Sequence, residues 1–132
     1  MNLVDTSVWI DFLRGVDSPQ RRTLHRLLEE EEDISITELI LTEILQGIRA
    51  DRDFESVRDY LLELPILRPK STQTYLNAAQ VYRDCRKQGK TARKTIDCII
   101  AVICLENDLA LLHKDSDFDT ISAQTGLKVV AV

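Results

Sequence analysis

Hydrophobic residues along the chain fall into two kinds of segment that alternate. Short apolar runs are separated by longer stretches in which apolar residues recur every three or four positions. The short runs predict β-strands, and the longer stretches predict amphipathic α-helices. The predicted strands are residues 2–4, 34–36, 66–67, 109–112 and 128–132.

Helices are predicted in the intervals between these strands. Thr6 or Ser7, Thr37 and Thr95 are placed to cap three of them, because a hydroxyl oxygen accepts a free amide of the first turn. The first predicted helix follows Thr6 or Ser7, and the next four span 19–31, 37–49, 53–64 and 72–87. A further helix starts at Thr95, and a loop with a short helix is predicted over 115–124.

Strands that alternate with helices are typical of a parallel sheet covered on both faces. The expected fold class is therefore α/β, with three layers and a central parallel sheet flanked by helices. A chain of 132 residues has the usual size of one domain, so residues 1–132 are expected to form a single domain.

Composition and charge narrow the possible functions. The start of the chain has no basic, apolar signal segment, and the longest apolar stretch, residues 99–105, is too short for a membrane span. An intracellular, cytoplasmic protein is expected. Its three cysteines, Cys85, Cys98 and Cys104, are interpreted as small buried thiols in a reducing compartment. The net charge of −5 argues against non-specific nucleic-acid binding.

Acidic residues stand where the predicted strands and helices meet. Asp5 ends the first strand, Asp115 and Asp117 follow the strand at 109–112, and Asp97 lies in the first turn of the helix at Thr95. Glu43 lies in the helix that follows the strand at 34–36. Ligands of parallel α/β folds bind at the carboxyl ends of the strands, so these side chains are expected to converge.

Converging carboxylates repel one another unless a cation lies between them. Mg²⁺ prefers oxygen ligands, and such an ion can polarise a phosphoryl oxygen and activate a water. Each acid also has an ordinary structural interpretation. Asp5 and Asp97 suit helix N-termini, Glu43 suits an exposed helix face, and Asp115 and Asp117 suit a turn. The joint pattern favours a metal site.

Four segments of the chain resemble the motifs of PIN domains of the VapC group. They are Val4–Asp11 (VDTSVWID), Thr42–Gly47 (TEILQG), Thr95–Ala101 (TIDCIIA) and Leu111–Asp119 (LLHKDSDFD). They occur in the order of the family and together span nearly the whole chain. Asp11 and Asp119 fall within the motifs but are interpreted as structural or surface residues.

The resemblance implies a PIN-like fold and metal-dependent endoribonuclease activity. It places Asp5, Glu43 and Asp97 on the acidic metal site, with Asp115 and Asp117 both as contributors and Asp115 slightly ahead. These five residues are the candidate catalytic and metal-binding residues, and the implied cofactor is Mg²⁺ or Mn²⁺. The implied partners are an RNA substrate, a VapB-type antitoxin docked near the helices at 19–31 and 37–49, and a second copy in a homodimer. No membrane is implied.

Basic residues form a second cluster, close to Asp97 in the sequence. They could hold an RNA backbone, or they could be the solvated end of a helix. His113, directly before Lys114 and Asp115 of the fourth motif, is a candidate general acid. The basic residues are Arg83, Arg86, Lys87, Lys90, Arg93 and Lys94.

Three other functions fit the pattern less well. Haloacid-dehalogenase-type phosphatases need an acid two residues after the first Asp, where this chain has Ser7. Receiver domains need an adjacent acidic pair at the end of the first strand, whereas Asp5 stands alone. A non-catalytic module that binds RNA or a partner is the remaining alternative, and the presence of all the expected acids argues against it.

Overall fold

A computed structural model describes residues 1–90 and 94–132. Its centre is a sheet of five strands in the order β3-β2-β1-β4-β5, in which every adjacent pair is parallel. The strands are β1 (Asn2–Val4), β2 (Ile34–Thr37), β3 (Ile66–Leu67), β4 (Ala110–Leu112) and β5 (Lys128–Val129).

Helices cover this sheet in two packed groups, α1 to α4 and α5 to α7. The predicted three-layer α/β architecture is confirmed. In the described residues, no helix has the length and apolar character needed to cross a membrane. The helices are α1 (Thr6–Arg14), α2 (Pro19–Glu29), α3 (Glu38–Gln46), α4 (Asp51–Leu61), α5 (Thr72–Lys87), α6 (Thr95–Glu106) and α7 (Ser116–Thr125).

The two central strands and α6 carry most of the core. Leu3, Val4, Leu111 and Leu112 are completely buried, as expected of parallel strands covered on both faces. Along α6 the buried positions run almost without interruption from Asp97 to Cys104, so this helix is enclosed on nearly every side. Its position near the sheet therefore leaves little freedom to the residues of its first turn.

Several predicted boundaries differ from the observed ones. Helix α2 ends at Glu29 rather than at residue 31, because Glu31 adopts a positive φ of 53° that a right-handed helix does not permit. Helix α4 spans Asp51–Leu61 rather than 53–64, and strand β5 stops at Val129 rather than at 132. None of these differences moves an element of the sheet.

Two predicted helix caps are wrong. Asp5, not Thr6 or Ser7, caps α1, because its own backbone is extended and its carboxylate accepts the Ser7 amide. Thr95 is the first residue of α6, and Lys94 occupies the cap position without a side-chain hydrogen bond. The cap at Thr37 is confirmed by its hydrogen bond from the Ile40 amide.

The strand order fixes where a ligand can bind. From β1 the chain adds β2 and β3 on one side of the sheet, and then β4 and β5 on the other side. The direction in which strands are added therefore changes between β1 and β4. A crevice forms outside the carboxyl ends of the strands at such a switch point. Asp5 follows β1 and His113 follows β4 at this edge.

Candidate metal centre

The structure brings the five predicted acids together at the switch point. Asp5, Glu43, Asp97 and Asp115 line one pocket of about 270 Å³, with Thr6, Ser7, Ile10, Gln46 and Lys94. Asp117 joins through a tighter trio, since one carboxylate oxygen from each of Asp97, Asp115 and Asp117 lies within 4.8 Å of the others.

Asp5 is held in place by the start of α1. Its Oδ2 accepts both the Ser7 amide, at 3.1 Å, and the Ser7 hydroxyl, at 2.6 Å. Burial raises the pKa of Asp5, and the Ser7 hydrogen bonds oppose that rise. The Ser7 Oγ also accepts the Lys114 amide at 3.0 Å, so one hydroxyl joins the loop after β4 to the carboxylate after β1.

Asp97 is the least compensated acid of the pocket. It is 4% exposed, and its Oδ2 is buried without a hydrogen-bond partner among the described residues. Burial, followed by the negative charges of Asp5 and Asp115, raises its pKa to about 7. A buried carboxylate oxygen without a hydrogen-bond partner is costly, and the charge of Lys94 offsets the rise in pKa only in part, so a bound cation would stabilise this position.

Glu43 reaches the pocket from α3. Its Oε1 accepts the Thr6 hydroxyl at 3.0 Å, which connects α3 to α1. Its pKa is raised chiefly by burial and further by the charge of Asp5, while the Thr6 hydrogen bond lowers it. Glu43 is half-buried rather than exposed on the helix surface.

Asp115 and Asp117 lie on either side of the start of α7. Asp115 caps the helix, and its Oδ1 accepts the Asp117 amide at 3.0 Å. Its Oδ2 lies 3.8 Å from Nζ of Lys94, an exposed lysine at the rim of the pocket. Both aspartates belong to the trio with Asp97, in which Asp117 is buried and Asp115 is partly buried, and Asp115 also lines the pocket.

The ligand atoms available here suit a hard divalent cation. They are carboxylate oxygens, which Mg²⁺ and Mn²⁺ accept, whereas softer metals select imidazole or thiolate. Burial raises the pKa of the nearby Cys98 thiol to about 11, so it stays protonated at neutral pH. The orphaned Asp97 Oδ2 supplies an oxygen that a cation would satisfy. The implied metal therefore fits these residues.

Of the described basic residues, Lys94 lies closest to the acids. Arg83, Arg86, Lys87 and Lys90 are exposed at the end of α5, as the solvated-helix interpretation expects. Arg86 lies over the Tyr82 ring, 5.9 Å from its centroid. Arg93 lies outside the described residues.

A larger groove of about 460 Å³ adjoins the pocket and shares Ile10 and Glu43 with it. Aliphatic side chains line it together with polar ones, which include Arg14, Arg49 and Asp53. Its residues come from α1, α3, α4 and the turn after α3. The helix expected at 19–31 contributes no residue to this groove.

Comparison with known proteins assigns the family. The model of the PIN domain matches residues 3–124 of the chain. The chain belongs to the PIN-domain family. This PIN domain is 33% identical to VapC ribonuclease Mb1587 of Mycobacterium bovis and to Ribonuclease VapC11 of Mycobacterium tuberculosis, over 99% of the chain and 98% of each relative. The predicted resemblance to the VapC group is confirmed.

Solved structures share the fold of this PIN domain at low sequence identity. VapBC2 from Rickettsia felis, bound to a DNA fragment from its promoter, matches with a TM-score of 0.74 and 15% identity, over 98% of this chain and 96% of that one. A toxin-antitoxin complex from Klebsiella pneumoniae matches with a TM-score of 0.72 and 17% identity, over 99% and 97%.

Proposed function

We propose that this PIN domain is a metal-dependent endoribonuclease and the toxin of a VapBC-type toxin–antitoxin pair. The catalytic and metal-binding residues are Asp5, Glu43, Asp97, Asp115 and Asp117, and the cofactor is Mg²⁺ or Mn²⁺. Membership of the family and relatives named as VapC ribonucleases support RNA as the substrate. Since the substrate is cellular RNA, the proposed place of action is the cytoplasm.

The observation that carries the proposal is the buried Asp97 carboxylate, which lies among other acids and whose Oδ2 has no hydrogen-bond partner among the described residues. Three carboxylate oxygens within 4.8 Å of one another repel strongly when they are ionised, more so where burial excludes water. A fold whose only task was to bind a partner would gain stability from apolar residues at these positions. The arrangement is explained by a reaction that needs a cation there.

The side chains divide the work as follows. Asp5, Asp97 and Asp115 would hold the cation, and Glu43 and Asp117 would complete its surroundings. When bound, such a cation neutralises charge that develops on phosphate oxygens and lowers the pKa of water. The Thr6 and Ser7 hydroxyls keep Glu43 and Asp5 oriented through their hydrogen bonds.

Lys94 would bind the RNA rather than the cation. Its ammonium group is exposed at the rim, 3.8 Å from Asp115, where a phosphate of the substrate can reach it. Its positive charge would reduce the repulsion between the acids of the pocket and the phosphates of the RNA.

Cleavage of total cellular RNA by the purified chain tests the function. Wild-type protein with Mg²⁺ or Mn²⁺ should give discrete fragments, and EDTA or Asp97→Asn should abolish them. Asp108→Asn is the matched control, because Asp108 follows the other end of α6 and is fully exposed to solvent at its ion pair with Lys128. That variant should cleave like the wild type.

Each other outcome has a definite meaning. Cleavage that survives both EDTA and Asp97→Asn would contradict the metal centre. Absence of cleavage by folded wild-type protein that still binds Mn²⁺ and RNA would favour the non-catalytic binding module instead.

The proposed partner is a VapB-type antitoxin in the groove beside the pocket. Solved structures with this fold are toxin–antitoxin complexes, and the groove is continuous with the acids through Ile10 and Glu43. An aliphatic partner segment that fills the groove would therefore end at the metal centre. Its position would block RNA from the acids.

Two leucines of equal exposure make a matched test of this partner. Leu13 lines the groove and is 41% exposed, and Leu105 at the end of α6 is 40% exposed. Co-expression with the cognate VapB-type antitoxin should yield a complex with Leu105→Glu but not with Leu13→Glu. Equal retention of the partner by both variants would contradict this groove.

The resemblance to the VapC group also predicts that this chain forms a homodimer. Sedimentation equilibrium of the purified chain should give twice the mass of one chain. A single-chain mass at all concentrations tested would contradict it.

A further inference from the structure

His113 is a buried imidazole that directly follows β4 and is not one of the proposed ligands. Its side chain is 5% exposed. Its ring is tilted by 48° against Phe118, with 5.2 Å between the ring centroids. Packing of this kind fixes the plane of the ring, and a buried polar ring costs stability unless its nitrogens find partners.

One nitrogen of His113 has a well-defined partner. Nδ1 accepts the backbone amide of Asp115 at 3.1 Å. An imidazole nitrogen accepts only when it carries no proton, so the ring hydrogen lies on Nε2. Nε2 is 3.5 Å from Oδ1 of Asp119, but without hydrogen-bonding geometry. The contact with Asp115 is therefore the one that orients the ring.

The same turn has a second anchor on the neighbouring amide. Lys114 donates its amide to Ser7 Oγ, and Asp115 donates its amide to His113. Two successive backbone donors between β4 and α7 are thus bound by side chains. Together they fix the path of the chain from the strand to the helix.

That path determines where two proposed ligands lie. The turn carries Asp115 and Asp117, which supply two of the three carboxylates in the tight trio with Asp97. Metal sites require their ligands within about 0.5 Å of the productive position, and neighbouring hydrogen bonds provide that precision. His113 contributes one of these bonds from outside the ligand set.

We infer that His113 is a positioning residue of the metal centre, which holds Asp115 and Asp117 in place through Nδ1. The inference rests on the proposed role of these carboxylates as cation ligands. It differs from the general-acid role considered from the sequence, because the nitrogen that is used accepts a backbone hydrogen and does not face a substrate.

A pair of variants with nearly the same shape separates the hydrogen bond from packing. Asn places its side-chain oxygen close to the Nδ1 position, and Leu has the same branching without an acceptor. Titration calorimetry of the full chain with Mn²⁺ should show a dissociation constant about 10–100-fold higher for His113→Leu. His113→Asn should recover most of that loss.

A second measurement needs no metal. With EDTA present, the Asp115 amide should exchange its hydrogen faster in His113→Leu than in the wild type, and slowly again in His113→Asn. Asp119→Asn is the control for the other nitrogen, and it should change neither amide exchange nor Mn²⁺ binding.

The possible outcomes distinguish this inference from the proposed function. If His113→Asn and His113→Leu agree in Mn²⁺ affinity and amide exchange, the ring only fills space and the inference is overturned. If Asp97→Asn loses Mn²⁺ binding but both His113 variants keep it, the metal centre is supported and the inference about His113 is overturned. A wild-type chain that binds no Mn²⁺ overturns both. Where His113→Leu does not fold, His113→Gln, whose amide reaches the Nε2 position, replaces it.

Discussion

Asp97 and Asp11 are both buried aspartates at this end of the molecule, but their surroundings have opposite effects. Asp11 lies 2.8 Å from the Lys114 ammonium, and this hydrogen bond lowers its pKa. Asp97 has other carboxylates nearby, and burial with their charge raises its pKa to about 7. Burial alone therefore does not mark a functional acid. What distinguishes Asp97 is that, among the described residues, no lysine or arginine forms an ion pair with it, and the charge of Lys94 offsets the rise in its pKa only in part.

The largest expected difference between the two acids is in RNA cleavage. Asp97→Asn should lower the rate by about 10³-fold, which corresponds to several kcal/mol of transition-state stabilisation. Asp11→Asn should have a much smaller effect, because its carboxylate is already neutralised by Lys114. Single-turnover cleavage of one RNA fragment by both variants checks this. Similar losses of cleavage rate in the two variants would contradict the difference proposed between Asp97 and Asp11.

The Asp97→Asn substitution that lowers the cleavage rate should raise the free energy of unfolding. Without metal, Asp97→Asn should stabilise the fold at pH 8 by on the order of 1–4 kcal/mol. The wild-type carboxyl binds its proton more tightly when folded, because its pKa of about 7 lies above the ordinary aspartate value of 3.8. The cost of its charge therefore grows between about pH 4 and 7 and is complete above.

Urea denaturation of both proteins in EDTA measures this gain. It should be present at pH 8 and absent below pH 4. A destabilised Asp97→Asn at pH 8 would mean that Asp97 has a structural partner.

Mn²⁺ affinity should depend on pH for the same reason. A cation must displace the proton of Asp97, so affinity should rise about tenfold per pH unit below pH 7 and level off above. Calorimetry in two buffers of different ionisation enthalpy would report the proton released. No change of affinity between pH 6 and 7 would contradict a protonated Asp97 in the metal-free protein.

The smallest effect is expected at the paired acid. Asp11→Asn should destabilise the fold by about 1 kcal/mol at neutral pH, since Lys114 is partly exposed and water screens the pair. A lowered pKa means that the stabilisation is present above the ordinary pKa of an aspartate and is lost as the pH falls through the folded value. The two proteins should unfold alike near pH 2, and a difference that persists there would assign the effect to packing.

The sequence was sufficient to predict the convergence of the acids. Asp5 and Asp115 follow buried apolar runs, and parallel strands bring their carboxyl ends to one edge. The positions of Glu43 and Asp97 near the same edge were predictable because α3 and α6, which carry them, begin there. The sequence left open whether Asp115 or Asp117 is the main fourth acid. The structure adds that both lie in one trio with Asp97.

Details that depend on a single turn of backbone were not predictable. Asp5, Thr6 and Ser7 all have side chains that can cap a helix, and only the backbone angles decide that Asp5 does so. The hydrogen bond from the Asp115 amide to His113 was not predicted, because it depends on the shape of the turn after β4. A histidine two residues before a helix-capping aspartate was the only signal in the sequence.

The position of β1 at the centre of the sheet has a consequence for biosynthesis. Val4 pairs with Leu112, over a hundred positions later in the chain, and both neighbours of β1 are needed to enclose it. Contacts so distant in sequence form late, because the intervening chain must close a long loop first. A ribosome-bound chain that has not yet released β4 therefore holds Asp5 and Glu43 but lacks the turn with Asp115. The carboxylates assemble only as synthesis nears this strand, so a growing chain passes most of its translation without the means to cut RNA.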